Sequence, residues 1–120
     1  MRVAVTSQGP DMTSGVDQRF GRAKFFVVVD TDTGESATHD NKQNLNAVQG
    51  AGIQAARNVV ALDVEAVITG NVGPKAFSVL TAANISIYIG ATGSVRDAAE
   101  QLKANKLEAA DNANVEGHWI

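Results

Sequence analysis

The chain has 120 residues, of which 44% are hydrophobic and 5% aromatic, and its formal net charge is -3. This length predicts one domain, residues 1–120, with an aliphatic core, and the negative charge argues against nucleic-acid binding. The absence of cysteine excludes disulfides, thiolate metal sites and thiol nucleophiles, and the absence of a leader or a run of about twenty apolar residues predicts a cytoplasmic protein with no membrane partner.

The first third of the chain predicts a strand, a long loop and a hairpin. Val3-Ala4-Val5 is a short apolar strand. The loop that follows, residues 7–24, is long for a compact domain, which favours a functional loop whose order without ligand is left open. Residues 25–29 form a continuous apolar run, typical of a strand covered on both faces. A turn at residues 32–34 then leads into a polar edge strand at residues 35–39.

The rest of the chain predicts helices that alternate with strands. Helices are expected over residues 50–62, over residues 74–83 and from Ser94 onward, where Ser94 and Asp97 form a capping box. Asn84 suits the left-handed position that ends the second helix. The apolar positions expected to face the core are Ile53, Ala56 and Val60 in the first helix, Ala76, Val79, Leu80 and Ala83 in the second, and Val95, Ala98, Ala99 and Leu102 in the third.

This order of elements predicts an α/β fold with three layers, α/β/α. A β-hairpin followed by βαβαβα units would give a mixed five-stranded sheet with right-handed crossovers. Ligands of such sheets collect beyond the carboxyl ends of the parallel strands. Residues 7–22, 70–75 and 90–93 should therefore converge at one edge of the sheet.

The turn after the central strand has the composition of an anion site. Gly70 and Gly73 allow positive φ and a close approach to a bound group, and Pro74 suits the first helical position. The free N–H groups of the first helical turn, the helix dipole and Lys75 would all favour an anion. Such turns also use glycine and proline for geometry alone, so both interpretations stay open.

Two arginines in the first loop suggest the same chemistry. Arg19 and Arg22 flank Phe20-Gly21, and two guanidinium groups facing N–H donors would suit a polyanion or an anionic cluster. The alternative is a pair of surface charges neutralised by Asp11 or Asp17.

Other kinds of site have weaker support. Carboxylate pairs could hold the metal ion of a small hydrolase, although such residues more often form turns; the pairs are Asp30 with Asp32 and Asp11 with Asp17. His118 could be a soft copper ligand or part of a packed tail. No nucleophile has a base in reach, so we assign no catalytic residue and expect no enzyme.

Four motifs together resemble the dinitrogenase iron-molybdenum cofactor-binding family across essentially the whole chain. They are Arg19-Phe20-Gly21-Arg22-Ala23, Gly50-Ala51-Gly52, Thr69-Gly70-Asn71-Val72-Gly73-Pro74-Lys75-Ala76 and Gly117-His118-Trp119. The resemblance implies a ribonuclease-H-like topology without nuclease activity, a bacterial or archaeal origin, and a carrier or storage role for metal–sulfur cofactors. The chain looks closer to the orange-protein branch, whose member holds a molybdenum-copper sulfide cluster noncovalently.

Two positions depart from the family pattern. Many relatives have cysteine where this chain has Val72, and many have histidine where it has Gln49. These departures remove protein ligands to iron. A sulfide-rich anionic cluster needs no thiolate from the protein, because its own sulfides ligate copper; it needs positive potential, N–H donors and partial shielding from water.

These arguments predict a noncatalytic binding or carrier protein for an anionic molybdenum-containing metal–sulfur cluster, of molybdenum-copper sulfide or iron-molybdenum cofactor type. The cofactor-binding residues are expected to be Arg19, Phe20, Gly21, Arg22, Gly70, Asn71, Val72, Gly73, Pro74, Lys75, Thr92 and Gly93. No residue is expected to ligate metal directly. We expect a monomer, with partners in cofactor assembly or in a multiprotein complex. The alternative is an interaction or regulatory module that keeps the fold without cofactor.

Overall fold

A six-stranded mixed sheet forms the middle layer of the protein. The computed structural model describes residues 1–44, 46 and 50–115. Across the sheet the strand order is β3-β2-β1-β4-β5-β6, with β1, β4 and β5 parallel, β2 antiparallel to both neighbours and β6 antiparallel to β5. The strands are β1 Arg2–Ser7, β2 Phe25–Asp30, β3 Ser36–Asp40, β4 Ala66–Ile68, β5 Ser86–Ile89 and β6 Glu108–Ala109.

Helices cover both faces of the sheet, which confirms the three predicted layers. They are α1 Ala51–Val60, α2 Pro74–Ala82 and α3 Val95–Lys103, and a 3-10 turn spans Phe20–Arg22. Side chains alternate along each strand, so Ala4 of β1 faces α1 and α2 while Val3 and Val5 face α3. In the described part of the chain, none of the helices has the length and apolar character needed to cross a membrane.

The predicted hairpin is confirmed, but the predicted number of five strands is wrong. β2 is buried along its middle and β3 is a mostly exposed edge strand, as its polar sequence indicated. The additional strand, β6, has only two residues, and Ala109 pairs with Tyr88 of β5. Both residues of β6 are exposed, so no alternation of apolar and polar side chains marks them as a strand.

The core-facing side of α1 differs from the prediction. Ala56 is buried as expected, but Val60 is 40% exposed and Ile53 is only half-buried. The buried positions are Gly52, Ala55, Ala56 and Val59. The helix packs against α2 and the 3-10 turn at once. Gly52, Ala55 and Ala56 allow this close approach, and Val59 rather than Val60 completes the inner face.

The ends of α2 and α3 follow their local signals. Asn84 has φ 60, the left-handed conformation expected after α2. Ala83 is exposed rather than core-facing, because α2 already ends at Ala82. At the start of α3 the capping box is complete: Asp97 N–H donates to Ser94 Oγ (3.1 Å) and Ser94 N–H donates to Asp97 Oδ2 (3.0 Å).

The capping box predicts an acid-sensitive contribution to stability. Hydrogen bonds from Ser94, first its backbone N–H and then its side chain, hold the pKa of Asp97 below its usual value. The carboxylate therefore stabilises the fold above about pH 4, and this contribution disappears as pH falls through the lowered pKa. We expect Asp97→Asn to decrease the free energy of unfolding at pH 7 and to matter progressively less toward pH 3, as measured by urea denaturation.

Glu100→Gln removes an exposed carboxylate from the same helix and is the matched control. It should lose less free energy of unfolding at pH 7 than Asp97→Asn, because its carboxylate takes no part in the capping box. A difference between Asp97→Asn and wild type that stayed constant from pH 7 to pH 3 would contradict this assignment.

Candidate functional site

The loop after β1 and the turn after β4 are joined by hydrogen bonds at the carboxyl edge of the sheet. Asn71 N–H donates to the Gln18 carbonyl (2.9 Å), and Phe20 N–H donates to the Asn71 carbonyl (3.2 Å). Arg19 and Asn71 thereby form a short parallel bridge. The Asn71 side chain adds a bond from Nδ2 to the same Gln18 carbonyl (3.1 Å). The arginine-bearing loop is therefore fixed against the glycine-rich turn.

The turn after β5 also contacts the loop after β1 and the turn after β4. This confirms the predicted convergence of the three connections. Gly90 N–H donates to the Gly70 carbonyl (3.1 Å), and Val16 N–H donates to the Gly93 carbonyl (2.9 Å). Gln18 links all three segments, because its Nε2 donates to the Ala91 carbonyl (3.0 Å) while its own carbonyl accepts from the turn after β4.

Gly70 allows the turn after β4 and the loop after β1 to approach each other closely. A Cβ on Gly70 would lie 2.8 Å from the Gln18 Cα, a backbone atom that cannot move aside cheaply. Neither Gly70 nor Gly73 has positive φ, contrary to expectation, whereas Gly93 does (φ 83). The glycine at position 70 therefore allows two chain segments to touch.

The backbone donors expected right after Gly70 are already in use. Asn71 N–H bonds to the first loop, and Val72 N–H donates to Asn114 Oδ1 (2.7 Å) in the tail. In the third turn, Thr92 N–H donates to Gln101 Oε1 (3.3 Å). The amides expected to form an open cradle therefore contribute to the architecture of the site.

The first turn of α2 is the remaining source of backbone donors. Gly73 is the N-cap and Pro74 the first helical residue, and no side chain from residues 1–44, 46 or 50–115 caps the helix. α1 starts in the same way at Gly50. Since β3 and β4 both run toward this edge, the positive ends of the α1 and α2 dipoles lie on the same side of the molecule.

The candidate cations lie at this edge and are exposed: Arg19, Arg22 and Lys75. All ion pairs found within the described ranges involve the Met1 ammonium, so in those ranges neither Arg22 nor Lys75 is neutralised by a carboxylate. Asp17 Oδ1 instead accepts the backbone N–H of Arg19 (3.0 Å).

Phe20 and Val72, two of the expected contact residues with apolar side chains, are fully buried. Both are 0% exposed, and the Phe20 ring packs 5.8 Å from the Phe26 ring, centre to centre. Gly21 beside them is also buried. These side chains therefore pack in the core and position the loops that carry the exposed polar groups.

Asp30 and Asp32, one of the carboxylate pairs proposed for a hydrolase, contact groups of the protein itself. Asp30 Oδ1 accepts the backbone N–H groups of Asp32 (2.9 Å) and Thr33 (3.3 Å), which lowers the pKa of Asp30. Asp32 Oδ2 lies 3.0 Å from the Met1 ammonium. Within the described residues no group of three or more histidine or acidic side chains could hold a metal ion.

Sequence reasoning missed three amide side chains that hold this edge together: Gln18, Gln101 and Asn114. Gln18 and Asn114 bond to groups 73 and 42 residues away, and Gln101 bonds to Thr92 across the start of α3, so no short motif identified them. Two motifs that the sequence did single out, Gln49 and Gly117-His118-Trp119, lie outside the described residues.

Comparison with known proteins assigns the chain to a family. The family profile described as dinitrogenase iron-molybdenum cofactor matches residues 1–105. The chain belongs to this family. The apo form of the orange protein from Desulfovibrio gigas is 38% identical, with a TM-score of 0.88 over 95% of this chain and 96% of that one. A putative NifB protein from Thermotoga is 33% identical, with a TM-score of 0.80 over 97% and 98%. The family predicted from the motifs is thus confirmed.

Sequence similarity extends to a protein from a further organism. An uncharacterized protein from Methanocaldococcus jannaschii is 32% identical over 91 residues, which cover 74% of this chain and 77% of the relative. The residues matched by the family profile include all three connections at the carboxyl edge. The tail residue Asn114, which contacts the turn after β4, follows the matched region.

Proposed function

We propose that this protein binds and carries an anionic molybdenum-containing metal–sulfur cluster without catalysing a reaction. The cluster, of molybdenum-copper sulfide or iron-molybdenum cofactor type, is held noncovalently at the carboxyl edge of the sheet. Arg19, Arg22 and Lys75 supply the charge, and the first turn of α2 supplies backbone N–H donors. The turn at Thr92 and Gly93 borders the site.

One observation carries this proposal: the short bridge between Arg19 and Asn71. It joins the arginine-bearing loop to the segment that leads directly into α2. Two guanidinium groups and a helix N-terminus without a side-chain cap in the described residues therefore share one small region. Positive side chains and a helix N-terminus both attract anions, and their effects reinforce each other at short range.

The chemistry of the available groups fits a cluster that brings its own ligands. The chain has no cysteine, and the turn after β4 carries Val72. Cationic and N–H groups bind sulfide or oxo groups from outside and leave the metal coordination unchanged. Noncovalent retention by charge and shape suits a protein that stores or delivers its cargo. A cytoplasmic monomer with a ribonuclease-H-like topology is part of this proposal.

The arginines give the proposal its first test. We mix the purified protein anaerobically with tetrathiomolybdate, with and without copper(I), desalt it, and measure bound molybdenum, copper and visible absorbance. Wild type should retain stoichiometric molybdenum. Arg19→Ala together with Arg22→Ala should weaken retention by about 10- to 100-fold, because charge-assisted hydrogen bonds are lost at a partly screened surface.

Arg57→Ala together with Lys103→Ala is the matched control, because it removes the same charge from the last turns of α1 and α3. This variant should retain molybdenum like wild type. Retention by the Arg19/Arg22 variant at the wild-type level would show that these arginines are not the site. Folded wild type that retains nothing would favour the alternative, an interaction module that has kept the fold without a cofactor.

A further inference from the structure

A short tail segment is fastened to the turn that leads into α2. We call this segment, residues 111–115, the tail strap. Asn114 forms the hydrogen bonds between the strap and the turn. Asn114 Oδ1 accepts the Val72 N–H (2.7 Å), Asn114 Nδ2 donates to Asn71 Oδ1 (2.9 Å), and Asn114 N–H donates to the Val72 carbonyl (3.1 Å). Asn114, an exposed residue, thus bonds to both the N–H and the carbonyl of Val72, 42 residues earlier in the chain.

The group that Asn114 holds is a donor suited to an anion. Val72 is 0% exposed, and its N–H lies in the turn between the arginine loop and the first turn of α2. A neutral amide oxygen is a weaker acceptor than an anionic oxygen or sulfide for the same N–H. An anion can therefore replace Asn114 Oδ1 as the acceptor of this N–H. The Asn71 Oδ1 and the Val72 carbonyl, which both accept from Asn114, would take water as their donor in the released state.

The strap can move without disturbing the sheet. Upstream, β6 pairs with β5, and Ala110 N–H donates to the Ile87 carbonyl (2.8 Å), which fixes the chain as far as residue 110. Asp111 and Asn112 then form an exposed bend. Rotation at this bend would release Asn114 and leave the bonds between residues 108–110 and β5 in place.

We propose that the tail strap competes with the ligand for the binding site. In the strapped state the Val72 N–H donates a hydrogen bond to Asn114. In the released state it donates to a sulfide-bearing anion instead. Ligand binding and strap release are thereby coupled, so the strap sets the affinity of the site and the release of its cargo. The identity of the anion rests on the proposed function, whereas the strap itself rests on the three hydrogen bonds of Asn114.

Residue-resolved NMR hydrogen exchange tests this coupling on the wild-type protein. The amides of Val72 and Asn114 are followed with and without tetrathiomolybdate. Saturation with tetrathiomolybdate should accelerate exchange at Asn114, whose bond to the Val72 carbonyl is lost, while Val72 stays protected by its new acceptor. Continued protection of the Asn114 amide at saturation would overturn the competitor role.

Asn114→Ala tests the same idea through affinity. Without its internal competitor the site should bind tetrathiomolybdate with a Kd about 3- to 10-fold lower than wild type. Asn112→Ala, a substitution at an exposed residue of the same strap, should leave the Kd unchanged. An equal or higher Kd for Asn114→Ala would overturn the proposal, because a strap that supports the site would give that result.

The two proposals fail in different ways. If neither wild type nor Asn114→Ala binds tetrathiomolybdate while both are folded, the proposed function is wrong and the strap has no such ligand. If wild type binds it with no change at the Asn114 amide, the proposed function stands and only the strap is rejected.

Discussion

Gly70→Ala is expected to separate the arginine-bearing loop from the turn after β4. The new Cβ would lie 2.8 Å from the Gln18 Cα and also against the Gln18 side chain. Since a backbone atom must move, we expect the free energy of unfolding to fall by about 1–3 kcal/mol. The bond from Asn71 N–H to the Gln18 carbonyl should be lost as well, so the Asn71 amide should exchange faster and molybdenum retention should fall.

Gly15→Ala, in the arginine-bearing loop that Gly70 contacts, is the matched control. A Cβ there would meet only the end of the Gln8 side chain, at 3.0 Å, and that flexible amide can turn away. Its unfolding midpoint in urea should stay near that of wild type. A Gly70→Ala protein with the wild-type midpoint and a protected Asn71 amide would contradict the close packing described for Gly70 and Gln18.

Much of the fold was predictable because its signals are local. The apolar run of β2 and the capping box at Ser94 and Asp97 depend on residues within a few positions of each other. The left-handed Asn84 also follows from its own place at a helix end. The inner face of α1 was shifted because contacts with α2 and the 3-10 turn decide which residues are buried. Such contacts are not encoded in helical periodicity.

The candidate site shows the same division between local and distant information. The sequence placed three connections at one edge, and they meet there. It could not show whether Gly70 makes room for a ligand or for another chain segment, since both need the same missing side chain. It also could not show that the Val72 N–H is already bonded, because the acceptor on Asn114 is 42 residues away. What a backbone donor faces is decided by the tertiary structure.

Phe20→Ala is expected to lose more stability than Gly70→Ala and also to release the arginine-bearing loop. Phe20 is 0% exposed and packs against Phe26 in the core shared with α1 and α2. Truncation of a buried phenylalanine lowers the free energy of unfolding by about 3–5 kcal/mol. A domain of this length is stable by about 5–15 kcal/mol, so the variant should remain folded at low temperature. Urea denaturation measures the loss.

Phe26→Ala separates lost stability from lost positioning. It removes the other ring of the same pair, but Phe26 belongs to β2 and carries no arginine beside it. Both variants should lose similar stability, and because the rings touch, the double variant should lose less than the sum. Phe20→Ala alone should also lose molybdenum retention at a temperature where both proteins are folded, since Arg19 and Arg22 lose their anchor. Equal retention by the two variants would mean that the ring at position 20 stabilises the core without positioning the arginines.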